Sequence, residues 1–249
     1  GKEEQKLCEM IDKKEEIKTV SGHAVINLEE FCIAFYKTYN PKIYYPNGEC
    51  KELEIIKPDK RLLELKDDFD NGREVKNPEL IAKLMDVADF FHYFADVPYD
   101  HMGISGSISP GLQKSDVSDL DYVVYGLDNH RRAIAAFKKH RGKEVYIEEL
   151  DKHITVKGIT NDYWDFVYNK RMSDESLTKE EFRWYENRKA NRGTINGTLF
   201  DILATRDYDE IEGEWGDTIY EPLGTAQIEC DIVSALGAFD NPSSYTIEN

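Results

Sequence analysis

The sequence predicts an α/β fold, in which helices pack on a mixed, mainly antiparallel sheet. Strand-forming residues, as in 122–125, alternate along the chain with stretches whose apolar residues recur at helical spacing, as in 77–94. The chain has 249 residues, of which 40% are hydrophobic, so it is long enough to bury a sizeable core. We expect a β-rich N-terminal region over 1–75, a core over 76–210 and a β-containing C-terminal segment over 211–249.

The N-terminal region opens with residues 1–17, which mix Lys and Glu around a few apolar residues and predict a short amphipathic helix or a frayed leader. Residues 31–36 and 52–56 are rich in Phe, Tyr, Ile and Leu and predict two strands. The Asn-Pro pair at 40–41 and the Pro-Asn-Gly at 46–48 predict the turns between them.

A buried helix is predicted from Asn77, since Asn is a favoured N-cap and Pro78 suits the first helical position. His92 on this helix is expected to be a satisfied or exposed histidine and not a ligand. Pro98 ends the helix, and 101–105 predict a short strand. One face is expected to be buried, because apolar residues recur at steps of three and four: Leu80, Ile81, Leu84, Val87, Ala88, Phe91 and Phe94.

The next elements are a Gly106-Ser107 turn, a short helix over the segment that Pro110-Gly111 interrupts, and a strand that starts at Asp119. A helix capped by Asn129 follows, with Ala133, Ile134 and Phe137 facing inward and Gly142 at its end.

A further helix starts at Thr178, because Thr178 and Glu181 have the spacing of a capping box. It carries Phe182, Trp184 and Tyr185. Three strands complete the chain, over 197–204, 226–232 and 245–248.

Two aspartates, Asp119 and Asp121, stand at the start of the most apolar predicted strand. Residues two apart in a strand point to one face and lie about 6.5–7 Å apart at the backbone. Two carboxylates on one face repel each other unless a positive group lies between them, and Mg²⁺ prefers oxygen ligands of this kind. The alternative is a surface hairpin with two solvated aspartates, which the apolar residues 122–125 disfavour.

This segment resembles the DNA polymerase beta-like nucleotidyltransferase superfamily. Its pattern is Gly-Gly or Gly-Ser, then about nine to thirteen residues, then acid, apolar, acid, apolar. Here Gly106-Ser107 is followed by 108–118 and then by Asp119-Leu120-Asp121-Tyr122. The resemblance implies a nucleotidyltransferase-fold sheet and an enzyme that transfers a nucleoside monophosphate from a nucleoside triphosphate to a hydroxyl acceptor, with release of pyrophosphate.

By the same resemblance, Asp119 and Asp121 would bind two Mg²⁺ ions, and a third carboxylate on a neighbouring strand would complete the site. Asp201, between apolar neighbours, fits that role better than Asp231, which lies on the polar face of a late strand. The alternative for Asp201 is a buried aspartate paired with Arg206 or Arg192.

The triphosphate would lie at Gly106 and Ser107, where glycine and the backbone N–H groups of a helix N-terminus suit anionic oxygens. Ser118 would order the turn, and Lys114 is near enough in sequence to meet phosphate, although a solvated lysine is the simpler reading. Arg188 and Arg192 belong to a short basic cluster that would neutralise a triphosphate, or would merely complement the C-terminus of the preceding helix.

The resemblance extends to a group of archaeal predicted nucleotidyltransferases through three segments: 100–126, Asn191-Arg192-Gly193 with its following strand, and the Tyr-Glu-Pro-Leu-Gly run at 220–224. In that group a small β-rich region precedes the catalytic core, which fits the predicted N-terminal region. The group implies no substrate. A protein of another class, a nucleotidyltransferase-like module that binds a nucleotide or a partner protein without catalysis, is the alternative.

The net charge and the cysteine content limit the classes of partner that the sequence predicts. The formal net charge is −17, which disfavours long nucleic acid, because phosphate neutralisation supplies most of the affinity of nucleic-acid binders. A small molecule, a protein side chain or an RNA end is therefore the expected acceptor. The four cysteines form no Cys-x-x-Cys pair, which disfavours a zinc site and a disulfide framework. This use of cysteine predicts a reducing cytoplasm. The charged first residues predict no signal peptide, and the lack of a long apolar run predicts no membrane span. The strand-like residues 245–248 close to the end of the sequence leave room for further chain after residue 249.

Overall fold

In the computed structural model, the described residues are 57–114, 118–172, 176–211, 221–240 and 243–248, with the short strands 42–44 and 50–52 and the single residues 213 and 219. The predicted helix over 1–17, the predicted strand over 31–36, the predicted turns at 40–41 and 46–48 and residues 53–56 of the predicted strand over 52–56 lie outside the described residues. The chain divides into two compact units, one of residues 1–81 and 104–118 and one of residues 82–103 and 119–249.

The first unit contains two short strands and a helix. Strands β1 (Lys42–Tyr44) and β2 (Cys50–Glu52) pair antiparallel. Helix α1 (Pro58–Asp70) then occupies a stretch that the sequence analysis assigned to a β-rich region, and that expectation is wrong for these residues. Pro58 fits the first turn, and the stretch is built from Leu, Lys and Asp with only Leu62 and Leu65 buried, so its apolar face is narrow.

Helix α2 (Pro78–Ala95) confirms the predicted buried helix, with Leu84, Val87 and Phe91 fully buried. Asn77 stands at the predicted N-cap position, since its carbonyl accepts from the N–H groups of Leu80 and Ile81; its φ is 57°, and its side-chain amide donates to the carbonyl of Gln113 at 3.0 Å. The His92 ring lies 3.1 Å from the carbonyl of Val97, which confirms a satisfied histidine.

The main sheet has six strands, which are β3 (Met102–Ile104), β4 (Leu120–Tyr125), β5 (Lys143–Ile147), β6 (Lys152–Lys157), β7 (Arg192–Ile195) and β8 (Thr198–Thr205). Their order in the sheet is β3-β4-β8-β7-β6-β5. Strands β4 and β8 are parallel, whereas the pairs β8–β7, β7–β6 and β6–β5 are antiparallel, so the predicted mixed, mainly antiparallel sheet is confirmed.

One face of this sheet is the core of the second unit. Helix α3 (Leu127–His140) follows β4, and its Phe137 ring meets the Phe200 ring of β8 edge-on at 5.3 Å between centroids. Phe91 of α2 meets the same ring at 5.7 Å. Asn129 does not cap α3 as predicted; the helix starts two residues earlier, and the Asn129 amide donates to the carbonyl of Tyr125.

Helices α4 (Asn161–Arg171) and α5 (Lys179–Lys189) pack on each other through Trp164, Val167 and Phe182. The predicted capping box at Thr178 is confirmed. Arg183 of α5 makes a forked ion pair with Asp165 of α4, with a 2.6 Å bond from its Nε. The sequence analysis did not predict α4.

The C-terminal part contains a third sheet, in which β9 (Asp231–Ser234) pairs with β10 (Thr246–Glu248). The predicted strand over 226–232 is wrong for 226–230, which form no strand, while the predicted strand at 245–248 is confirmed by β10. Arg206, after β8, pairs with Asp240 at 2.7 Å. Within the described residues, no helix combines the length and the apolar character that a membrane crossing requires.

A partly buried charge network ties α2 to the sheet. Lys152 of β6 lies 3.1 Å from Asp86 and 2.5 Å from Asp89, and Asp89 also accepts a 2.6 Å bond from the hydroxyl of Tyr99. The side-chain amide of Asn196 donates to Asp86 at 2.6 Å. Because Asp89 is only 3% exposed, these partners offset the free-energy cost of burying its carboxylate.

A buried histidine, His130 of α3, gives the fold a pH dependence. It is 4% exposed, its Nε2 has no hydrogen-bond partner among the described residues, and its ring packs at 4.6 Å from that of Phe239. Burial lowers the pKa of His130 to about 4, against a smaller opposing effect from a backbone hydrogen bond at Ile202. The folded protein therefore binds a proton at this ring less readily than the unfolded chain does.

We expect His130 to make the protein less stable as the pH falls from about 6.5 to about 4. In that window the unfolded chain is protonated at His130 and the folded protein is not, so the free energy of unfolding falls by about 3 kcal/mol and is unaffected by this ring above the window. Urea unfolding of the wild type and of His130→Gln at several pH values measures the difference. The exposed His153→Gln variant should behave as the wild type does; parallel curves for the wild type and His130→Gln would contradict the expectation.

Candidate functional site

Three charged residues form a row across neighbouring strands of the main sheet. Asp121 of β4 is the register partner of Asp201 in the parallel β8, and Arg192 of β7 is the antiparallel partner of the same Asp201. Register partners point to the same face of a sheet. All three side chains are half-buried, whereas Phe200 and Ile202, which flank Asp201, point to the opposite face and are fully buried.

Arg192 holds both carboxylate oxygens of Asp201. Its Nε donates to Oδ1 at 2.8 Å and its terminal nitrogen donates to Oδ2, with side-chain exposures of 15% and 14% for the arginine and the aspartate. Burial lowers the pKa of Arg192, but the hydrogen bond and the charge of Asp201 outweigh burial and raise it above its ordinary value, with further contributions from Tyr163 and Asp119. The sequence analysis had left pairing with Arg192 or Arg206 as the alternative for Asp201, and the partner is Arg192.

Asp119 stands directly before β4, two residues from Asp121, and is half-buried. Its charge acts on Arg192, so it lies within electrostatic reach of the row. Asp121 of the predicted pair therefore borders the third predicted acid, and Asp119 and Asp201 both act on the charge of Arg192.

Asp231, the competing candidate for the third acid, is not in this sheet. It is the first residue of β9, in the sheet that β9 forms with β10, and its side chain is exposed. Of the two candidates, Asp201 is the one that the strand register places beside Asp121.

The Gly106-Ser107 segment is a turn, as predicted, and belongs to the first unit. Gly106 has a φ of 59°, which glycine adopts at little cost. The predicted helix after it is wrong: residues 107–111 form turns, because the proline and glycine at 110–111 interrupt any helix. A phosphate site at this place would rest on turn N–H groups and not on a helix N-terminus.

Ser118 closes this loop. Its hydroxyl lies 3.2 Å from that of Ser107 and accepts a 2.8 Å bond from the backbone N–H of Lys114. The role predicted for Ser118, ordering the turn, is consistent with these bonds. The side chain of Lys114 is exposed.

The basic cluster at the end of α5 is divided between different partners. The Arg188 guanidinium lies over the Trp184 ring, 5.1 Å from its centroid, and Lys189 pairs with Glu186 at 2.5 Å. Of the predicted cluster, Arg192 is the residue that belongs to the row with Asp121 and Asp201. Arg188 and Lys189 occupy the last turn of α5, where cations suit the helix dipole, so the alternative reading describes their positions better.

Gly193 lets Arg192 take its position. A Cβ atom at Gly193 would lie 2.3 Å from the ζ carbon of Phe137 and 2.9 Å from the carbonyl oxygen of Lys157. The strand therefore approaches the core too closely for any side chain here, and β7 keeps the register that sets Arg192 opposite Asp201.

Sequence reasoning missed Tyr163, which acts on the row, and Asn196, which lies at the other end of the β7–β8 hairpin. Tyr163 in the first turn of α4 contributes to the electrostatics of Arg192. Asn196, in the turn between β7 and β8, accepts from the N–H of Thr155 and donates to Asp86. The Thr160 N-cap would have been a signal for α4, and the Asn196-Gly197 pair is a strong hairpin signal.

The donors fit a hard divalent cation in type, since all three are carboxylates. In arrangement the fit is incomplete: within the described part of the chain, no three acidic, histidine or cysteine side chains stand close enough to hold a metal ion, and both oxygens of Asp201 are bound by Arg192.

Comparison with known proteins finds a relative in the archaeon Methanocaldococcus jannaschii, named as an uncharacterized protein, which is 41% identical over 152 residues. The match covers 61% of this chain and 42% of the relative, so the chain spans less than half the length of that protein. No model of a known protein family matches the chain. No solved structure matches it.

Proposed function

We propose that the protein is a metal-dependent nucleotidyltransferase, which transfers a nucleoside monophosphate from a nucleoside triphosphate to a hydroxyl acceptor with release of pyrophosphate. The observation that carries the proposal is the pairing of Asp121 with Asp201 on adjacent parallel strands, with Asp119 two residues before Asp121. Asp121 and Asp201 then point to one face of the sheet, and the segment of sequence that precedes Asp119 carries a turn motif whose backbone suits phosphate.

Each acid has a distinct role in this proposal. Asp119 and Asp121 would hold Mg²⁺, which when bound stabilises the charge that develops on the attacking and leaving oxygens. Asp201, once released by Arg192, would accept the proton of the acceptor hydroxyl at Oδ2. The apolar residues on the opposite face, Phe200 and Ile202, hold β8 rigidly in the core and so keep Asp201 in register with Asp121.

The residues that the sequence motif and the basic cluster supply are the proposed nucleotide ligands. The backbone and hydroxyl groups of Gly106 and Ser107 would meet the phosphates, with Ser118 ordering the turn and Lys114 supplying an exposed charge. Arg192 would neutralise the triphosphate from the sheet. Arg188, on the solvent side of Trp184, is the weakest of the predicted nucleotide ligands.

The acceptor is proposed to be a small molecule, a protein side chain or an RNA end. A net charge of −17 opposes long nucleic acid unless a basic track compensates. The basic cluster at 188–192 is too short to follow many phosphates, and Lys189 and Arg192 are paired with Glu186 and Asp201.

Calorimetry with ATP, GTP, CTP and UTP, each with and without Mg²⁺, tests the proposal. We expect at least one nucleotide to bind with an affinity that rises at least tenfold when Mg²⁺ is present, because carboxylates alone repel a triphosphate. Binding that does not depend on metal, or no binding of any of the four, would count against the enzyme.

The second candidate is a nucleotidyltransferase-like module that binds a nucleotide or a partner protein without catalysis. The forked ion pair between Arg192 and Asp201 favours it, since an aspartate that stays paired is unable to take part in the chemistry. Release of pyrophosphate from the nucleotide that binds separates the two: the enzyme produces it in the presence of a hydroxyl acceptor, and the binding module does not.

A further inference from the structure

We propose that the exposed face of helix α5 binds the same face of a second copy of this chain, with the two helices antiparallel about a two-fold axis. The observation that carries the proposal is a stripe of exposed side chains, spaced one helical turn apart, whose charge changes sign along the helix. The α5 stripe consists of Glu180, Glu181, Trp184, Tyr185, Arg188 and Lys189. The inference goes beyond the proposed function and is independent of it.

The centre of the α5 stripe is aromatic. Trp184 is 56% exposed and Tyr185 is 47% exposed, and their rings meet edge-on at 4.9 Å between centroids. Neither ring belongs to the core, since Phe182 is the residue of α5 that packs against Trp164 and Val167 of α4. A single exposed ring is ordinary, but two adjacent rings form an apolar patch of the kind that a partner surface covers.

Arg188 extends the aromatic patch with a positive charge. Its guanidinium lies over the Trp184 ring, 5.1 Å from the centroid, and it makes no ion pair within the part of the chain that the structure describes. Tryptophan, tyrosine and arginine are the residue types that carry most of the binding energy in protein interfaces. The centre of the α5 stripe therefore has the composition of an interface and not of a solvated helix face.

The two ends of the α5 stripe carry opposite charges. Glu180 and Glu181 lie in the first turn of the helix, and Arg188 and Lys189 lie in the last turn. This order suits the helix dipole. It also makes the stripe complementary to its own reverse, so the partner that matches its charges is an antiparallel copy of the same helix.

An antiparallel copy places opposite charges together along the whole stripe. With the two-fold axis between Trp184 and Tyr185, Arg188 lies opposite Glu181 of the second copy, and Lys189 lies opposite Glu180 of the second copy. Each pair occurs twice, because an isologous interface uses every contact twice. A parallel copy would instead place acid against acid and base against base, which is unfavourable.

The dimer is expected to be weak. A helix of 11 residues is about 16 Å long and about 10 Å wide, so the α5 stripe alone is smaller than the roughly 800 Å² that each partner buries in a standard interface. The net charge of −17 also repels the two copies, although salt at about 0.15 M screens this repulsion beyond about 8 Å. We therefore expect a dissociation constant of about 10 to 100 µM.

Sedimentation equilibrium of the whole chain, at about 0.15 M salt and at up to about 300 µM protein, tests the proposal. We expect the mean mass to rise with concentration from that of one chain towards that of two. Trp184→Ala/Tyr185→Ala should weaken the dimer by about tenfold or more, because both copies lose the centre of the interface. Tyr146→Ala is the matched control, since it removes a ring of β5 that is 45% exposed, and it should leave the dissociation constant unchanged.

Reversal of single charges tests the antiparallel arrangement. Glu180→Lys and Lys189→Glu each place like charges opposite each other twice in the dimer, so each variant alone should dimerise about threefold more weakly than the wild type. An equimolar mixture of the two variants should regain the wild-type affinity, because every altered charge then faces its opposite. Lys139→Glu, in the last turn of α3, changes the net charge as Lys189→Glu does and should have no effect.

Circular dichroism and thermal unfolding show whether each variant folds; if Trp184→Ala/Tyr185→Ala does not, the charge reversals decide, since they change exposed side chains. A wild type that stays monomeric up to about 300 µM overturns the proposal. A dimer that the folded aromatic variant leaves unchanged overturns it as well. A mixture of the charge variants that is no tighter than each variant alone overturns the antiparallel pairing. None of these outcomes changes the result expected from calorimetry with nucleotides, so the proposed function is tested separately.

Discussion

Replacing Asp121 by asparagine is expected to abolish nucleotidyl transfer while the fold stays intact. Asparagine keeps the shape of the side chain but removes the charge that the proposed metal would require, and a loss of about 4 kcal/mol of transition-state stabilisation corresponds to about a thousandfold lower rate. The β4 backbone and the buried Tyr122 and Val124 next to it are unchanged by the substitution, so the sheet should form as before. Pyrophosphate release from the nucleotide that calorimetry identifies is the measurement.

The control for Asp121→Asn is Asp209→Asn, in the short helical turn after β8, where the aspartate is exposed. It removes the same charge from the chain and should retain full activity. Equal rates for Asp121→Asn and the wild type would show that the acid pair has no part in the chemistry. A thermal unfolding curve that differs strongly from that of the wild type would show instead that Asp121 is needed for folding.

Lys152→Met is expected to cause the largest loss of stability, about 3 kcal/mol or more. It leaves Asp86 and Asp89 without their shared cation, and a buried carboxylate that loses its partner is costly. The hydrogen bonds and charges of both aspartates already outweigh burial and raise the pKa of Lys152, so the lysine is charged across the neutral range. Urea unfolding at neutral pH gives the difference in free energy.

Lys143→Met provides a comparison on the neighbouring strand β5, where the lysine is exposed, and should change stability by less than about 0.5 kcal/mol. Adding Asp89→Asn to Lys152→Met should restore part of the loss, because the unpaired charge is then gone. If Lys152→Met lowers the free energy of unfolding by less than about 1 kcal/mol, the network is no stronger than an ordinary surface ion pair.

The sequence was sufficient for elements whose pattern is strong and local. Helix α2 has apolar residues on a regular face, β4 is a run of strand formers, and the Thr178 capping box fixes the start of α5. Helix α1 was missed because only Leu62 and Leu65 of its residues are buried, so its apolar face is too narrow to recognise. Strand β5 was missed because most of its residues are exposed and its apolar residues do not alternate.

The candidate site was predictable in part for the same reason. Asp119 and Asp121 lie two apart in the chain, so strand geometry alone puts them together. The partner of Asp201 was not predictable, because Arg192 and Arg206 are nine and five residues away, and only the sheet register shows that Arg192 lies opposite Asp201 while Arg206 turns to Asp240. The division of the basic cluster also depends on tertiary contacts, which no local pattern records.

The turn between β7 and β8 sets the register of the two strands as well as the direction of the chain. Asn196 and Gly197 both have positive φ, 47° and 80°, which is the conformation of a tight two-residue hairpin and fixes Ile195 opposite Thr198. A slip of one residue would exchange Asp201 with Phe200, burying a charge and exposing a ring. Folding therefore selects the correct register on hydrophobic grounds, and the acid reaches its place beside Asp121 as a by-product of core formation. Formation of the sheet in this register therefore places Asp121, Asp201 and Arg192 side by side without any further step.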